Sequence, residues 1–155
     1  MLRPFRSITP TVHPTAYIDE SAQVIGDVEI GQESSGWMNV VIRGDVNIIR
    51  IGDRTNIQDG TVIHVMRNTH ATRIGHEVTV GHAAILHGCT IHDRVLIGMG
   101  AMLLNGWEIG QDSNVAAATA GAAGAEGPPG APLAGPRRGA KGRPAGSTNR
   151  NRHGS

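Results

Sequence analysis

The chain has 155 residues, enough for one domain, and only 3% of them are aromatic whereas 22 are glycine, which predicts a narrow core of aliphatic and small side chains. The formal net charge of +1 does not indicate a nucleic-acid-binding protein. The sequence has no long apolar run for a membrane span and no N-terminal apolar h-region, and its single cysteine, Cys89, excludes an internal disulfide and fits a reducing compartment. We therefore expect a cytoplasmic protein with no membrane partner.

The first segment, 1–17, contains Pro4, Pro10 and Pro14. Because proline lacks a backbone donor, this stretch is predicted to run extended as a cap over the domain that begins at Ile18.

From 18 to 117, anchor residues, nearly all of them apolar, recur every six positions. The anchors of this hexad are Ile18, Val24, Ile30, Gly36 and Ile42, then Ile51, Ile57 and Ile63, then Ile74, Val80 and Leu86, and finally Ile91, Ile97, Leu103, Ile109 and Val115. Small or β-branched residues mostly follow four positions later. This pattern is neither helical nor a two-residue alternation, and it is typical of a parallel β-helix, in which three hexads close one triangular coil. An ordinary antiparallel β domain is the alternative, and so long a phase-locked hexad disfavours it.

The hexad changes phase at three places. The anchor spacing is nine residues after Ile42, eleven after Ile63 and five after Leu86. The longest of these predicts a loop at 66–72, MRNTHAT. Because the loops of a solenoid protrude from one edge, we expect them to line a binding face.

The last segment, 118–155, is dominated by Ala, Gly, Pro and Arg, and its composition predicts a disordered tail. From Ala116 onward the chain has six Lys or Arg residues and one acid, so the tail could contact nucleic acid or an acidic surface, although a passive tail is the simpler interpretation. The Ala, Gly, Pro and Arg content of this segment also indicates a truncated or frame-shifted ending.

The hexad brings two histidines together. Every third anchor should stack on the same face, so the residues after three stacked anchors, Arg43, His64 and His87, form a column one coil apart. Neighbouring coils lie about 4.8 Å apart, which lets two imidazoles share one ion. Histidine is the commonest side-chain metal ligand, and three histidines with an open fourth position can hold a catalytic zinc.

A third histidine, His82, belongs to the preceding face, next to the hexad that carries Gln58. Within one prism, the histidines on these two faces do not easily point towards a common site. When two prisms pack side by side, a histidine from each can reach the same site. A closed ring of such contacts is a trimer when the rotation is 120°. The repeat thus suggests a metal shared between subunits, with His64 and His87 from one chain and His82 from the next.

Each of these residues also has a purely structural interpretation. Arg43 and Asp45 can form a plain ion pair, Gln58 and Asp59 can be turn residues, and Cys89 can be a small core residue. The other histidines are interpreted as surface side chains: His13, His70, His76, His92 and His153.

The stretches VVIRGDVNIIRIGDRTNIQDGTVIHV and VTVGHAAILHGCTIHDRVLIGMGAMLLNG closely resemble the gamma-class carbonic anhydrase family of hexapeptide-repeat proteins, in its short bacterial branch. The match runs over about 11–117 and is most specific over 42–106. The resemblance implies a left-handed parallel β-helix and a homotrimer with zinc, or alternatively iron or cobalt, at each subunit interface. It matches the metal ligands to His64, His82 and His87, with His82 from the neighbouring subunit. It also implies that Arg43 and Asp45 lie at the trimer interface and that Gln58 is an active-site residue.

Two features depart from this family. The founding archaeal enzyme has glutamates and an acidic loop that help to move protons, whereas Val46 follows Asp45 here and MRNTHAT contains no acid. Family members also continue the repeat and close with a C-terminal helix, which the tail 118–155 replaces.

The leading hypothesis is a carbonic anhydrase-like lyase. The metal would lower the pKa of a bound water, the resulting hydroxide would attack carbon dioxide to give bicarbonate, and Gln58 would orient the water or the substrate. Arg43 and Asp45 would hold the subunits in register. A coenzyme A thioesterase or acyltransferase is the second hypothesis, because one fold hosts many chemistries. A non-catalytic metal-binding trimer is the third.

Overall fold

The computed structural model describes residues 1–120, together with the strand positions 126–127 and 132–133. The strands are β1 (Leu2–Arg3), β2 (Thr11–Val12), β3 (Tyr17–Ile18), β4 (Gln23–Ile30), β5 (Ser35–Gly36), β6 (Val41–Ile51), β7 (Asn56–Ile57), β8 (Val62–His64), β9 (Thr72–Ile74), β10 (Thr79–Val80), β11 (Ile85–His87), β12 (Thr90–Ile91), β13 (Leu96–Ile97), β14 (Met102–Leu103), β15 (Glu108–Ile109), β16 (Asn114–Val115), β17 (Glu126–Gly127) and β18 (Pro132–Leu133).

These strands form the left-handed parallel β-helix that the sequence predicts, with about six coils. The first face stacks β1, the first half of β4, the first half of β6, β8, β11 and β14. The second face stacks β2, the second halves of β4 and β6, β9, β12, β15 and β17. The third face stacks β3, β5, β7, β10, β13, β16 and β18. Strands of neighbouring coils pair in parallel throughout these three faces.

The hexad anchors form the core of the prism. On the first face, Ile42, Ile63, Leu86 and Leu103 are fully buried. The corners are closed by small residues, and the buried hydroxyls of Ser34, Thr55 and Thr61 donate to a carbonyl of the next coil, as Thr55 Oγ1 does to the Gly75 carbonyl at 2.8 Å. The corner hydroxyls are therefore satisfied, as buried polar groups must be.

The three phase changes are a bulge, a loop and a tight turn. In β6, residues 45–48 lie opposite the single residue Asp27, because Gly26 pairs with Gly44 and Val28 with Ile49. The eleven-residue step forms a loop between β8 and β9 that ends before Thr72, one residue earlier than predicted. The five-residue step contains Gly88, whose φ is 64°.

The first seventeen residues lie against the first complete coil. Strand β1 pairs with the first half of β4, and β2 pairs with its second half. The Val24 N–H donates to the Met1 carbonyl at 2.9 Å.

At the described positions beyond Ala117, the chain forms two strands, β17 and β18. Gly127 of β17 is the partner of Ile109, and Leu133 of β18 is the partner of Val115, so both keep the hexad spacing. The rest of the tail that was predicted to be disordered, at 121–125, 128–131 and 134–155, lies outside the described residues. The part of the chain that the structure describes contains no helix long and apolar enough to cross a membrane.

Candidate metal centre

Two of the three predicted ligand histidines are direct neighbours. His64 ends β8, His87 ends β11, and the two residues are register partners although they are 23 positions apart in sequence. Their rings meet edge to face with centroids 5.0 Å apart. Nδ1 of His64 lies 3.2 Å from Nε2 of His87. The column predicted from the hexad therefore exists, and it brings one nitrogen of each ring to the same place.

The β6 bulge directs Asp45 at the outer nitrogen of His64. Asp45 Oδ1 lies 2.8 Å from His64 Nε2, and Asp45 Oδ2 accepts from Arg43 Nη1 at 2.9 Å. Burial raises the pKa of Asp45, but the hydrogen bond to His64 and the charge of Arg43 outweigh it and hold that pKa below its ordinary value. A carboxylate held in this way accepts the Nε2–H of His64, which leaves Nδ1 as the free nitrogen of that ring.

The outer nitrogen of His87 has a partner of a different kind. His87 Nδ1 lies 2.7 Å from Oδ1 of Asn105, in the turn between β14 and β15. The amide oxygen can only accept, so Nδ1 carries the proton and Nε2 is free. The hexad pattern does not indicate a role for Asn105.

A buried threonine joins the two histidine strands. The Thr72 hydroxyl donates to the His64 carbonyl at 2.5 Å and accepts from the Gly88 N–H at 2.9 Å. Thr72 is fully buried, so these bonds fix the backbone directly after each histidine.

This donor set fits a metal ion. Each ring has its outer nitrogen tied to an oxygen acceptor, so the two inner nitrogens present lone pairs to each other. Lone pairs 3.2 Å apart repel unless a proton or a cation lies between them. Two imidazole nitrogens on one zinc are separated by roughly 3.3 Å, given ligand distances of about 2.05 Å and tetrahedral angles. Carboxylate–histidine pairs of the Asp45 kind are also the usual support for metal-bound imidazoles.

The third predicted ligand lies at the other edge of the first face. The side chain of His82 is half exposed, and its Nδ1 lies 3.1 Å from Oδ2 of Asp59, which stacks beneath it. Among the described residues, no group of three or more His, Cys, Asp or Glu side chains is arranged to hold a metal ion. One chain therefore brings together His64 and His87 but not His82.

Gln58 lies at the His82 edge. Its backbone N–H donates to the Val80 carbonyl at 3.0 Å, and it directly precedes Asp59 in the turn after β7. The structure thus separates Gln58 and His82 from the group formed by Arg43, Asp45, His64 and His87.

The remaining histidines have other surroundings. His13, His76 and His92 are exposed and His70 is half-buried beside Thr69, whereas His153 lies outside the described residues. Cys89 is buried in the core, and burial raises the pKa of its thiol to about 12.

No protein-family model matches the chain. It is 49% identical over 113 residues to gamma carbonic anhydrase 1, mitochondrial, of Arabidopsis thaliana, an alignment that covers 70% of this chain and 41% of that protein. It is 43% identical over 111 residues to a carbonic anhydrase of Geobacillus kaustophilus, with 72% of this chain and 60% of that protein covered. The chain belongs to the gamma-class carbonic anhydrase family. It spans 41% and 60% of the length of these two relatives.

A solved structure confirms the architecture expected of a gamma-class protein. The crystal structure of a hexapeptide transferase family protein from Anaplasma phagocytophilum superposes with a TM-score of 0.72 at 38% sequence identity, over 86% of this chain and 74% of that chain. The likeness to a hexapeptide-repeat protein thus extends over 86% of this chain.

Proposed function

We propose that the chain is a metal-dependent carbonic anhydrase whose active site forms between two copies of the chain. The observation that carries this proposal is the histidine pair: the free nitrogens of His64 and His87 face each other at 3.2 Å, with both outer nitrogens already hydrogen-bonded. Membership of the gamma class supports the hydration of carbon dioxide as the reaction.

The surface between the two histidine edges supports assembly. On the first face, the side chains directly before the anchors point outwards, and four of them stack in register: Val41, Val62, Ile85 and Met102. We call these four residues the apolar strip. His82 lies at one edge of the face that carries the strip, and His64 and His87 lie at the other. Covering the strip with a second copy buries apolar area and brings unlike edges of two chains together, and the ring closes with three copies.

Within such an interface, His64 and His87 of one copy and His82 of the next would hold zinc, or alternatively iron or cobalt. When bound, such an ion supplies hydroxide near neutral pH by lowering the pKa of water. Asp45 and Asn105 keep the two paired rings oriented. Arg43 holds Asp45 and keeps the subunits in register. Within the described part of the chain, the Gln58 side chain has no hydrogen-bond partner, so it is available to orient water or substrate.

The proposed reaction also requires the export of a proton. Hydration of carbon dioxide releases one proton, and a positioned acid or base normally carries it away. The loop between β8 and β9 has no carboxylate, and His70 is its only ionisable imidazole. We therefore expect hydration to be slow in poorly buffered solution and to accelerate with added imidazole buffer.

The test is a stopped-flow hydration assay on protein loaded with zinc, iron or cobalt, run beside a panel of acyl-coenzyme A thioesters. We expect hydration that a chelator abolishes and no thioester hydrolysis. Thioester turnover without hydration would instead favour the thioesterase or acyltransferase hypothesis, and metal binding without either reaction would favour a non-catalytic trimer. The cytoplasmic location stays a prediction.

A further inference from the structure

Asn105 has two possible uses in this fold. An Asn-Gly pair is a common turn sequence, because both residues tolerate positive φ. In the turn between β14 and β15, however, Gly106 has a φ of 78° and Asn105 is not among the residues with positive φ. The turn therefore does not need the conformational freedom of an asparagine, and the side chain is engaged by His87 instead.

The backbone around Asn105 leaves space for its side-chain amide. The Gly106 N–H donates to the Gly88 carbonyl at 2.9 Å, which fixes the turn against the residue that follows His87. A Cβ at Gly88 would lie 2.5 Å from Asn105 Oδ1 and 2.8 Å from the Cβ of His70. Real Cβ atoms essentially never approach other atoms so closely, so the glycine is what allows Asn105 to reach His87.

The contact has a consequence for metal binding. A neutral imidazole carries its proton on one nitrogen only, and the partner of the other nitrogen decides which. With Asn105 Oδ1 at 2.7 Å, the proton of His87 stays on Nδ1, and Nε2 keeps the lone pair that a metal requires. Without this acceptor, both tautomers are accessible and the ring is free to rotate.

We propose that Asn105 is a positioning residue that fixes the tautomer and orientation of His87 for metal binding, and that Gly88 makes the room for it. This inference rests on the proposed metal site, but its first test does not need a metal. Asn105→Leu removes the acceptor at similar size, Asn105→Asp keeps an acceptor, and Asn114→Leu changes an exposed asparagine of β16 as the matched control.

The experiment has two readouts. Two-bond ¹H–¹⁵N correlation spectra of chelator-treated protein, recorded about two units above the ordinary histidine pKa of ~6.5, report the tautomer of each ring. The His87 signals are assigned by their absence in His87→Gln. Zinc affinity is then measured by competition with a chromophoric chelator.

We expect the Nδ1–H tautomer for His87 in the wild type, Asn105→Asp and Asn114→Leu, and a mixture in Asn105→Leu. Zinc affinity should fall about 10- to 100-fold in Asn105→Leu alone, the usual effect of losing such a partner. A wild-type His87 with its proton on Nε2 would overturn the inference, as would an Asn105→Leu variant with unchanged tautomer and affinity. If Asn105→Leu does not fold, Asn105→Ala takes its place. If no form binds zinc, the proposed function fails, while the tautomers still decide the role of Asn105.

Discussion

His64 Nδ1 and His87 Nε2 lie 3.2 Å apart. If both nitrogens present lone pairs, this arrangement is unfavourable in an empty site and favourable around a cation. The residues that create this arrangement are Asp45 and Asn105, because each holds the proton of one ring on the side away from the pair. At the residue scale, the site is thus specified by the partners of the histidines as much as by the histidines themselves.

The first prediction concerns the ligands. His64→Ala or His87→Ala removes one imidazole of the pair, so bound metal should fall well below one ion per chain, with loss of hydration activity. Elemental mass spectrometry of the purified variants measures the metal content. His76→Ala and His92→Ala are the controls, since both side chains are exposed and face other carboxylates. Unchanged metal content in both His64→Ala and His87→Ala would remove these residues from the site.

The second prediction concerns Cys89. Burial raises the pKa of the thiol to about 12, so the folded protein keeps it protonated at a pH where an unfolded cysteine, with its pKa of ~8.5, ionises. Iodoacetamide at pH about 9 should therefore label urea-unfolded protein and spare folded protein. The pKa of the Cys89 thiol is higher in the folded than in the unfolded protein. Its contribution to the free energy of unfolding is therefore complete below the unfolded pKa and decreases as pH rises towards the folded pKa. Rapid labelling of the folded protein would contradict the buried position.

The sequence could predict the histidine column because a hexad fixes which residues stack. It could not predict the contacts of Asp45 and Asn105. The predicted roles of Asp45, an ion pair with Arg43 and a place at the subunit interface, do not include His64, because the direction of the Asp45 side chain depends on a bulge whose shape cannot be predicted from the spacing. The hexad does not indicate Asn105, because Leu104 occupies the column position after His87 and Asn-Gly is a common turn sequence.

At the scale of elements, the β6 bulge and the loop between β8 and β9 both place a side chain beside the two paired histidines. The β6 bulge adds the residues that carry Asp45, and bulges commonly redirect a side chain beside a functional site. The loop between β8 and β9 returns at Thr72, whose hydroxyl joins the backbone after the two histidines. The spacing of the anchors predicted where these departures occur and that the second is a loop, but not that the first is a bulge.

The third prediction separates backbone conformation from packing. Gly88 and Gly100 both have positive φ, at 64° and 67°. An added Cβ meets Asn105 and His70 at Gly88 and nothing within 4 Å at Gly100. Gly100→Ala should therefore lower the free energy of unfolding only by the cost of placing alanine at a positive φ, about 1–2 kcal/mol. Gly88→Ala should lower it by more, because its Cβ also meets Asn105 and His70.

Chemical denaturation of the two variants measures this difference, and zinc competition shows whether the His87 contact is lost with it. Equal free energies of unfolding for Gly88→Ala and Gly100→Ala would mean that the turn carrying Asn105 moves aside without cost.

At the scale of the whole molecule, a single chain leaves two features incomplete. The apolar strip is partly exposed, with Val62 39% and Met102 36% accessible, and among the described residues no third side chain joins His64 and His87 in a group that could hold a metal ion. The proposed assembly would resolve both, because a second copy on the strip would bring its own His82 edge to the His64–His87 edge. The repeat predicts which residues share a face, whereas the proposed arrangement of copies depends on the residues at the two edges of the first face.

The fourth prediction concerns the strip. Val62→Glu places a charge at its centre, and burial of an unpaired carboxylate should prevent assembly and metal retention together. Leu96→Glu is the matched control, since Leu96 is an exposed apolar residue of the third face, also directly before its anchor. Native mass spectrometry should show trimers for Leu96→Glu and monomers for Val62→Glu. Trimers in both variants would mean that another surface forms the contact.

The central claim, a metal site divided between neighbouring copies, is tested most directly by mixing two inactive variants. His64→Ala and His82→Ala each lack one ligand at every interface of their own trimers. After unfolding and refolding together in equal amounts, about one quarter of the interfaces should pair an intact His64 and His87 with an intact His82, because each interface draws on two chains. The measurement is metal per chain in mixed trimers identified by native mass spectrometry. We predict recovery toward about one third of wild-type content in these mixed trimers, because one of their three interfaces is rebuilt, which is about one quarter averaged over the whole mixture, with hydration activity in proportion. Mixed trimers that bind no more metal than either parent variant would contradict the shared site.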